Sequence, residues 1–270
     1  MKLTLTLLLA AVTASSLHAE PKKLLVVTIT TGFRHSSILN LEKVITQLGR
    51  DSGDFTVDLV QQPPDKPGGL KKDATDEQKA AFQAASAAWN QSLKTALQKL
   101  SPASLKNYDG VVFASTTGDL PIPDPSGLLD WIKAGHAFIG IHAASDTFHK
   151  WPGYADMLGG EFAGHGKQLG VECLNEDRQH PATAHLGQTW TITQEEIYQF
   201  KNYDATKVHD LLDLDKKPAA PFTPGHYPVS WSKSFGAGKV FHTSLGHRED
   251  IIDADPNLKG RINSIEISKA

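Results

Sequence analysis

The sequence predicts an α/β domain built on a mostly parallel central sheet with helices on both faces. Three observations carry this. Residues 23–30 (KLLVVTIT), 108–114 (YDGVVFA) and 137–141 (AFIGI) are short, near-continuous apolar runs, the mark of strands covered on both sides. Between them lie stretches with apolar residues at helical spacing. Each run also empties into a loop carrying polar residues, the arrangement of repeated βα units.

Taken in order, the first run leads through Thr31-Gly32-Phe33-Arg34-His35-Ser36-Ser37 into a helical stretch marked by Ile38, Leu41, Ile45 and Leu48. Ser36 or Ser37 is the expected cap. Residues 55–60 (FTVDLV) read as the second strand, and residues 63–69 as a Pro/Gly-rich turn. A long helix over 75–100 starts with the capping box Thr75–Gln78. Its stripe of Phe82, Trp89, Leu93, Leu97 and Leu100 is packing surface. After the third strand come Ser115-Thr116-Thr117-Gly118-Asp119, then Asp124-Pro125, a cap followed by proline at the first helical position. Beyond His165 the pattern changes. Residues 170–174, 189–193, 229–231 and 238–243 read as strands, whereas the charged, proline-bearing segment 204–224 reads as a surface excursion. Residues 151–224 as a whole read as an elaboration on one sheet, so a second domain is not required.

Composition narrows the function. The chain has 270 residues and a formal charge of −3, which becomes −4 without residues 1–19, whose only charge is Lys2. Such a surface does not suit nucleic acid and does suit an uncharged small molecule. Residues 1–19 combine Lys2, a short apolar core and small residues ending in Leu17-His18-Ala19. They read as a signal peptide cleaved after Ala19, which places the mature chain, 20–270, in the periplasm or outside the cell. The apolar core is too short for a membrane span. The single cysteine, Cys173, excludes an internal disulfide.

The chemistry gathers where strands end, because ligands of open α/β sheets bind at the carboxyl ends of strands. His142 falls where residues 137–141 give way to a turn, with Asp146, His149 and His165 close behind. Arg34 and His35 fall at the end of the first strand, and His247 at the end of the last. With Glu196, these imidazoles and carboxylates suit proton transfer: hydrolysis by an activated water, elimination, or isomerisation beside a carbonyl. Asp146, four residues after His142, is placed to orient that ring if a helix begins there. His142 and Asp146, with His149 or His165, have the N/O character a divalent metal accepts, but no metal signature in their spacing. No cofactor is certain from this, and a divalent metal is left open. Trp151, Tyr154, Phe162 and Tyr198 flank the polar cluster, and a flat ring beside hydrogen-bonding groups suits a sugar.

These pieces also carry a resemblance. Gly32-Phe33-Arg34-His35, Gly140-Ile141-His142-Ala143-Ala144-Ser145-Asp146, Trp151-Pro152-Gly153-Tyr154, Leu158-Gly159-Gly160-Glu161-Phe162 with His165, His180-Pro181, Glu196-Ile197-Tyr198 and Ser244-Leu245-Gly246-His247 occur in order. The sequence resembles the trehalose-utilisation (ThuA-like) domain family. That resemblance implies a class I glutamine amidotransferase-like fold, a flavodoxin-like three-layer sandwich. Glu195 departs from the family's usual Asp. Amidotransferases of this fold keep a cysteine nucleophile where this chain has His142, so a cysteine-dependent amidotransferase is excluded. The resemblance implies an enzyme of carbohydrate catabolism, a hydrolase or lyase acting on a disaccharide or keto-sugar. His142, Asp146, Glu196 and His247 are then the catalytic candidates. Arg34, His35, Trp151, Tyr154, His165 and Tyr198 are the substrate-binding candidates. The alternative is a non-catalytic carbohydrate-binding module on the same fold. Self-association into a homo-oligomer is compatible with either.

Overall fold

The structure is a computed structural model that describes residues 20–270. The expected signal segment, 1–19, lies outside the described residues. In chain order the elements are β1 (Lys22–Val27), α1 (Ile38–Ser52), β2 (Phe55–Val60), α2 (Asp76–Ala96), α3 (Pro102–Leu105), β3 (Gly110–Ala114), α4 (Pro125–Lys133), β4 (Ala137–Ile141), α5 (Pro152–Leu158), β5 (Glu161–His165), β6 (Leu169–Asn175), β7 (Thr189–Glu195), β8 (Tyr198–Lys201), β9 (His209–Lys216), β10 (Pro224–Phe235), β11 (Gly238–Thr243), α6 (Glu249–Ile252) and α7 (Ile265–Lys269). Single 3-10 segments follow α2 (Leu97–Leu100) and β4 (His142–Asp146).

Nine strands form the central sheet in the order β2-β1-β3-β4-β11-β10-β9-β6-β7. From β2 to β11 every pairing is parallel. From β11 to β7 every pairing is antiparallel, so only β10 and β6 run against the rest. β5 and β8 make a separate antiparallel ribbon. Alternate residues of the parallel strands feed two apolar clusters. Leu25, Val27, Phe113, Phe138 and Val240 pack with Trp89, Leu93, Leu128, Tyr154 and Leu158 from α2, α4 and α5. Val26, Val112 and Ala114 pack with Leu41 of α1. Each large side chain buried here contributes ~1.5–3 kcal/mol. A third cluster around Cys173, Ile192, Leu212 and Val229 supports the antiparallel half.

Local signals act where the sequence places them. Thr75 and Gln78 form the reciprocal capping box of α2, and the Asp124 carboxylate accepts from Gly127 N at 2.8 Å. Gly140 has to be glycine, because a Cβ there would meet His242 Nδ1 and Leu158 Cδ1 at 2.9 Å.

Two expectations are corrected. Segment 204–224 is not all surface excursion, since His209–Lys216 is β9, a strand of the main sheet with four consecutive buried residues, Leu211–Leu214. Its aspartates hid it. One of them, Asp213, is buried, and His226 Nδ1 meets its Oδ2 at 2.6 Å. Ser37 does not cap α1 through its side chain. It adopts a helical backbone, and its hydroxyl donates to the Gly246 carbonyl at 2.7 Å. The first turn of α1 is thereby tied to the loop that carries His247.

Candidate functional site

The strands β1, β3, β4 and β11 lie side by side in the sheet, so the loops at their carboxyl ends meet. These loops supply His35, Ser115, His142 and His247. Glu196 arrives from the turn between β7 and β8, and Tyr198 opens β8. The three imidazoles are edge-on to one another, with ring centroids 4.6 Å apart for His35–His142, 5.4 Å for His35–His247 and 5.6 Å for His142–His247. One ligand-type atom from each of His35, His142, His247 and Glu196 lies within 4.8 Å of the others. The cluster is open on one side. The side chains of His165 and His247 are 42% and 23% exposed.

The backbone is bent to make this convergence. His142 has φ 50° and Ser115 has φ 56°, a left-handed conformation that costs a side-chain-bearing residue ~1–3 kcal/mol and persists only when its surroundings impose it. At His142 those surroundings are hydrogen bonds. Its Nδ1–H donates to the Ser244 carbonyl at 2.7 Å. Because a carbonyl can only accept, the proton sits on Nδ1, and Nε2 accepts from the Tyr198 hydroxyl at 3.0 Å. His35 Nδ1 shares a 3.2 Å hydrogen bond with Ser115 Oγ.

Burial, and then neighbouring imidazoles, push His142 well below the ordinary histidine range. The same causes bring His35 down to about 4. Both are neutral rings at pH 7. Glu196 behaves differently. Burial works against its charge, but His247 and His165 outweigh it and hold the carboxyl below its usual value. His247 is likewise opposed by burial and raised by Glu196, whose Oε2 is 3.1 Å from Nδ1. That contact has ion-pair length but is off hydrogen-bond alignment, which leaves the buried Nδ1 without a hydrogen-bond partner. His165 Nδ1 lies 3.0 Å from the other Glu196 oxygen.

Four expected site residues face elsewhere. Arg34 turns back beneath the loop, and its Nη1 donates to the Thr28 carbonyl at 2.7 Å. Asp146 does not orient His142, because its carboxylate receives His149 Nε2 at 2.7 Å. Tyr154 is 1% exposed, donates to the Ala144 carbonyl, stacks on Phe113 and meets Phe138 and Phe148 edge-on. Trp151 packs against the same core. Tyr154 is therefore a core residue, and Trp151 is its partner in packing. Cys173 is buried in β6, where burial pushes its thiol up to about 12.

His149 has its own part. Its Nδ1 meets Glu161 Oε1 at 2.7 Å while Nε2 meets Asp146, so both nitrogens donate only in the imidazolium. Glu161 also pairs with Lys201 at 2.8 Å. Partial burial opposes charge on this ring, but the two carboxylates win and raise its pKa. The β5–β8 ribbon is thus clamped to the turn after β4. A raised folded-state pKa contributes stability that is full below the unfolded value of ~6.5 and lost as pH rises through the folded one. His149→Gln is expected to lower the thermal midpoint at pH 6 and to matter little at pH 9. An equal loss at both values would refute the charged clamp.

Sequence reasoning missed three groups. Phe33 is 66% exposed, and its ring lies 4.7 Å from that of His35. It stands in the Gly32–His35 stretch, and an aromatic that the core does not claim was the available signal. Ser115, which meets His35, carried no signal beyond its loop. Glu195 is fully buried, accepts from Glu196 N at 2.7 Å and Arg248 N at 3.3 Å, and is raised to about 7 by burial. The adjacent carboxylates Glu195-Glu196 were the visible hint.

The histidines and carboxylate pooled here stand at the carboxyl ends of the parallel strands, where open α/β sheets bind their ligands. The chain matches the family described as ThuA, trehalose utilisation, over residues 23–264, and it belongs to that family. A ThuA-like protein of Parabacteroides merdae ATCC 43184 has a similar structure, with a TM-score of 0.60 and 19% identity over 84% of this chain and 80% of that one. A ThuA-like protein of Bacteroides uniformis ATCC 8492 gives 0.58 and 18% over 87% of each chain. These likenesses bear on the fold. No curated protein matches the chain. Among the described residues, no helix is long and apolar enough to cross a membrane.

Proposed function

We propose that this protein is an enzyme of carbohydrate catabolism that acts on a disaccharide or keto-sugar by hydrolysis or elimination. The fold is read as a flavodoxin-like three-layer sandwich, and the mature chain as secreted or periplasmic. Family membership supports the substrate class. The observation that carries the chemistry is the convergence of His35, His142, His247 and Glu196 from distant parts of the chain at the carboxyl ends of the parallel strands. Such a site has acids and bases but no strong nucleophile, which favours proton transfer to and from substrate oxygens or an α-carbon. Glu196 with His247 and His165 handles protons at the open side. His142, fixed by Ser244 and Tyr198, forms the floor. Phe33 offers an apolar face on which a sugar ring can stack.

The test incubates the protein with a panel of disaccharides and their keto derivatives and reads products by mass, alongside direct binding measurements. His247→Ala is the informative variant, because His142 is too deeply buried for truncation to report on chemistry alone. The expected result is a product from at least one panel member, with turnover lost and binding retained in the variant. Binding without any product from the wild-type protein would favour a carbohydrate-binding module. Neither binding nor product would overturn the reading.

A further inference from the structure

We propose that His35, His142, His247 and Glu196 form a binding site for one divalent transition-metal ion of the zinc or manganese kind. This rests on the reading above that the cluster is the working site, and it names that site's inorganic partner. The ligand set differs from the one expected from sequence, because Asp146 and His149 pair with each other instead.

The donor set is the first argument. Three imidazole nitrogens and one carboxylate oxygen within 4.8 Å of one another match the N/O preference of these ions. A bound ion at ~2.0–2.2 Å from each donor would need only a modest contraction of that cluster.

The outer contacts are the second argument. Metal-bound histidines characteristically donate their other ring N–H to a carbonyl, carboxylate or water, which fixes the tautomer and aims the free nitrogen. His142 does this, with Nδ1–H on the Ser244 carbonyl and Nε2 directed at the cluster side where Tyr198 stands. His35 Nδ1 is engaged by Ser115 Oγ at 3.2 Å, leaving its Nε2 for a ligand. His247 supplies a buried Nδ1 that no hydrogen bond occupies. The Glu196 carboxylate lies beside it at 3.1 Å.

On ion binding, Tyr198 gives up its bond to His142 Nε2, and its hydroxyl becomes available to a substrate oxygen. The ion would supply Lewis acidity and a more acidic bound water. Proton exchange at the open side then falls to His165.

The experiment measures metal on the full mature chain. The protein is stripped with chelator, dialysed against Zn²⁺, Mn²⁺ or Co²⁺, and its content determined by elemental mass spectrometry, with Co²⁺ absorption as a coordination signature. One ion per chain is expected, with a rise in thermal midpoint. His35→Ala and His247→Ala should each weaken binding by ~100-fold or more, and Ser115→Ala by ~10-fold, the size of an outer-contact effect. Circular dichroism of each variant shows whether it is folded, and Ser115→Ala serves should a ligand variant fail to fold. No stoichiometric ion, or an ion retained equally in folded His35→Ala and His247→Ala, overturns the proposal. The latter would place the ion on other pairs such as His226 with Asp210 and Asp213. Carbohydrate turnover by fully stripped protein would refute a metal requirement and leave the proposed function standing. Stoichiometric ion in a protein inert toward the panel would do the reverse.

Discussion

Glu196→Gln is expected to reduce carbohydrate turnover by about 10²–10⁴-fold, the range that a positioned acid or base contributes, while the fold survives. The substitution keeps the shape of the side chain and removes its charge. Glu196 sits between His165 at 3.0 Å and His247 at 3.1 Å, and it is the carboxylate that reaches the three-histidine cluster. Without its charge, His247 loses the largest of the contributions that raise its pKa against burial. Both partners of Glu196 are partly open to solvent, so stability should move by no more than ~1 kcal/mol. Steady-state kinetics together with a thermal melt decide the matter. Unchanged turnover in a folded variant would remove Glu196 from the machinery.

The second large effect falls on Asp250, which touches none of the reacting groups. Its carboxylate is 1% exposed. It accepts from Arg248 Nε at 2.8 Å and Nη2 at 2.9 Å, from the backbone N–H groups of Ile262 and Asn263 at 2.5 and 2.9 Å, and from Asn263 Nδ2 at 3.0 Å. Burial alone would raise its pKa, but these donors outweigh that and hold it far below the usual carboxylate range. The network reaches the site from two sides. Asn263 Oδ1 accepts from Thr193 and Gln194 at 3.0 Å, just before Glu195-Glu196, and Arg248 follows His247 directly. Asp250→Ala removes the carboxylate from a half-buried guanidinium, which keeps only Gln168 Oε1 and the Gly260 carbonyl, and leaves the Ile262 and Asn263 backbone N–H groups unpaired. A loss of ~3–5 kcal/mol is expected, or very roughly 10 °C in the thermal midpoint for a chain of this size. Denaturant unfolding measures it directly, and a change under ~1 kcal/mol would contradict the assigned role. Because the depressed group stabilises only when ionised, its contribution is present above an unfolded-state pKa of ~3.9 and fades as pH falls toward the folded value.

Much of this is legible in the sequence. The bounds of β2, β4 and β11 follow from their apolar runs alone. Strand-end logic brought His35, His142 and His247 to one place, since ends of neighbouring parallel strands must share an edge. Side-chain direction was not legible. Arg34 sits one residue from His35, and a carbonyl beneath the loop claims it. Asp146 has the right spacing from His142 and the wrong rotation, because His149 offers a closer partner. Tyr154 reads as a sugar-facing ring and is instead held by the Ala144 carbonyl in the core. The ribbon of β5 and β8 is not legible either. Its strands are short, and a register shift between Phe162 and Gly164 breaks the alternation that would reveal them.

The position of β11 has a consequence for biosynthesis. It is the last strand in the sequence and the one that joins the parallel to the antiparallel half. A chain that folds from its N-terminal end therefore presents bare edges on β4 and β10 until residues 238–243 become available. Unpaired edges of this kind template intermolecular pairing. Chaperone dependence, and losses to inclusion bodies during rapid expression, should be governed by that interval more than by the stability of the finished sheet.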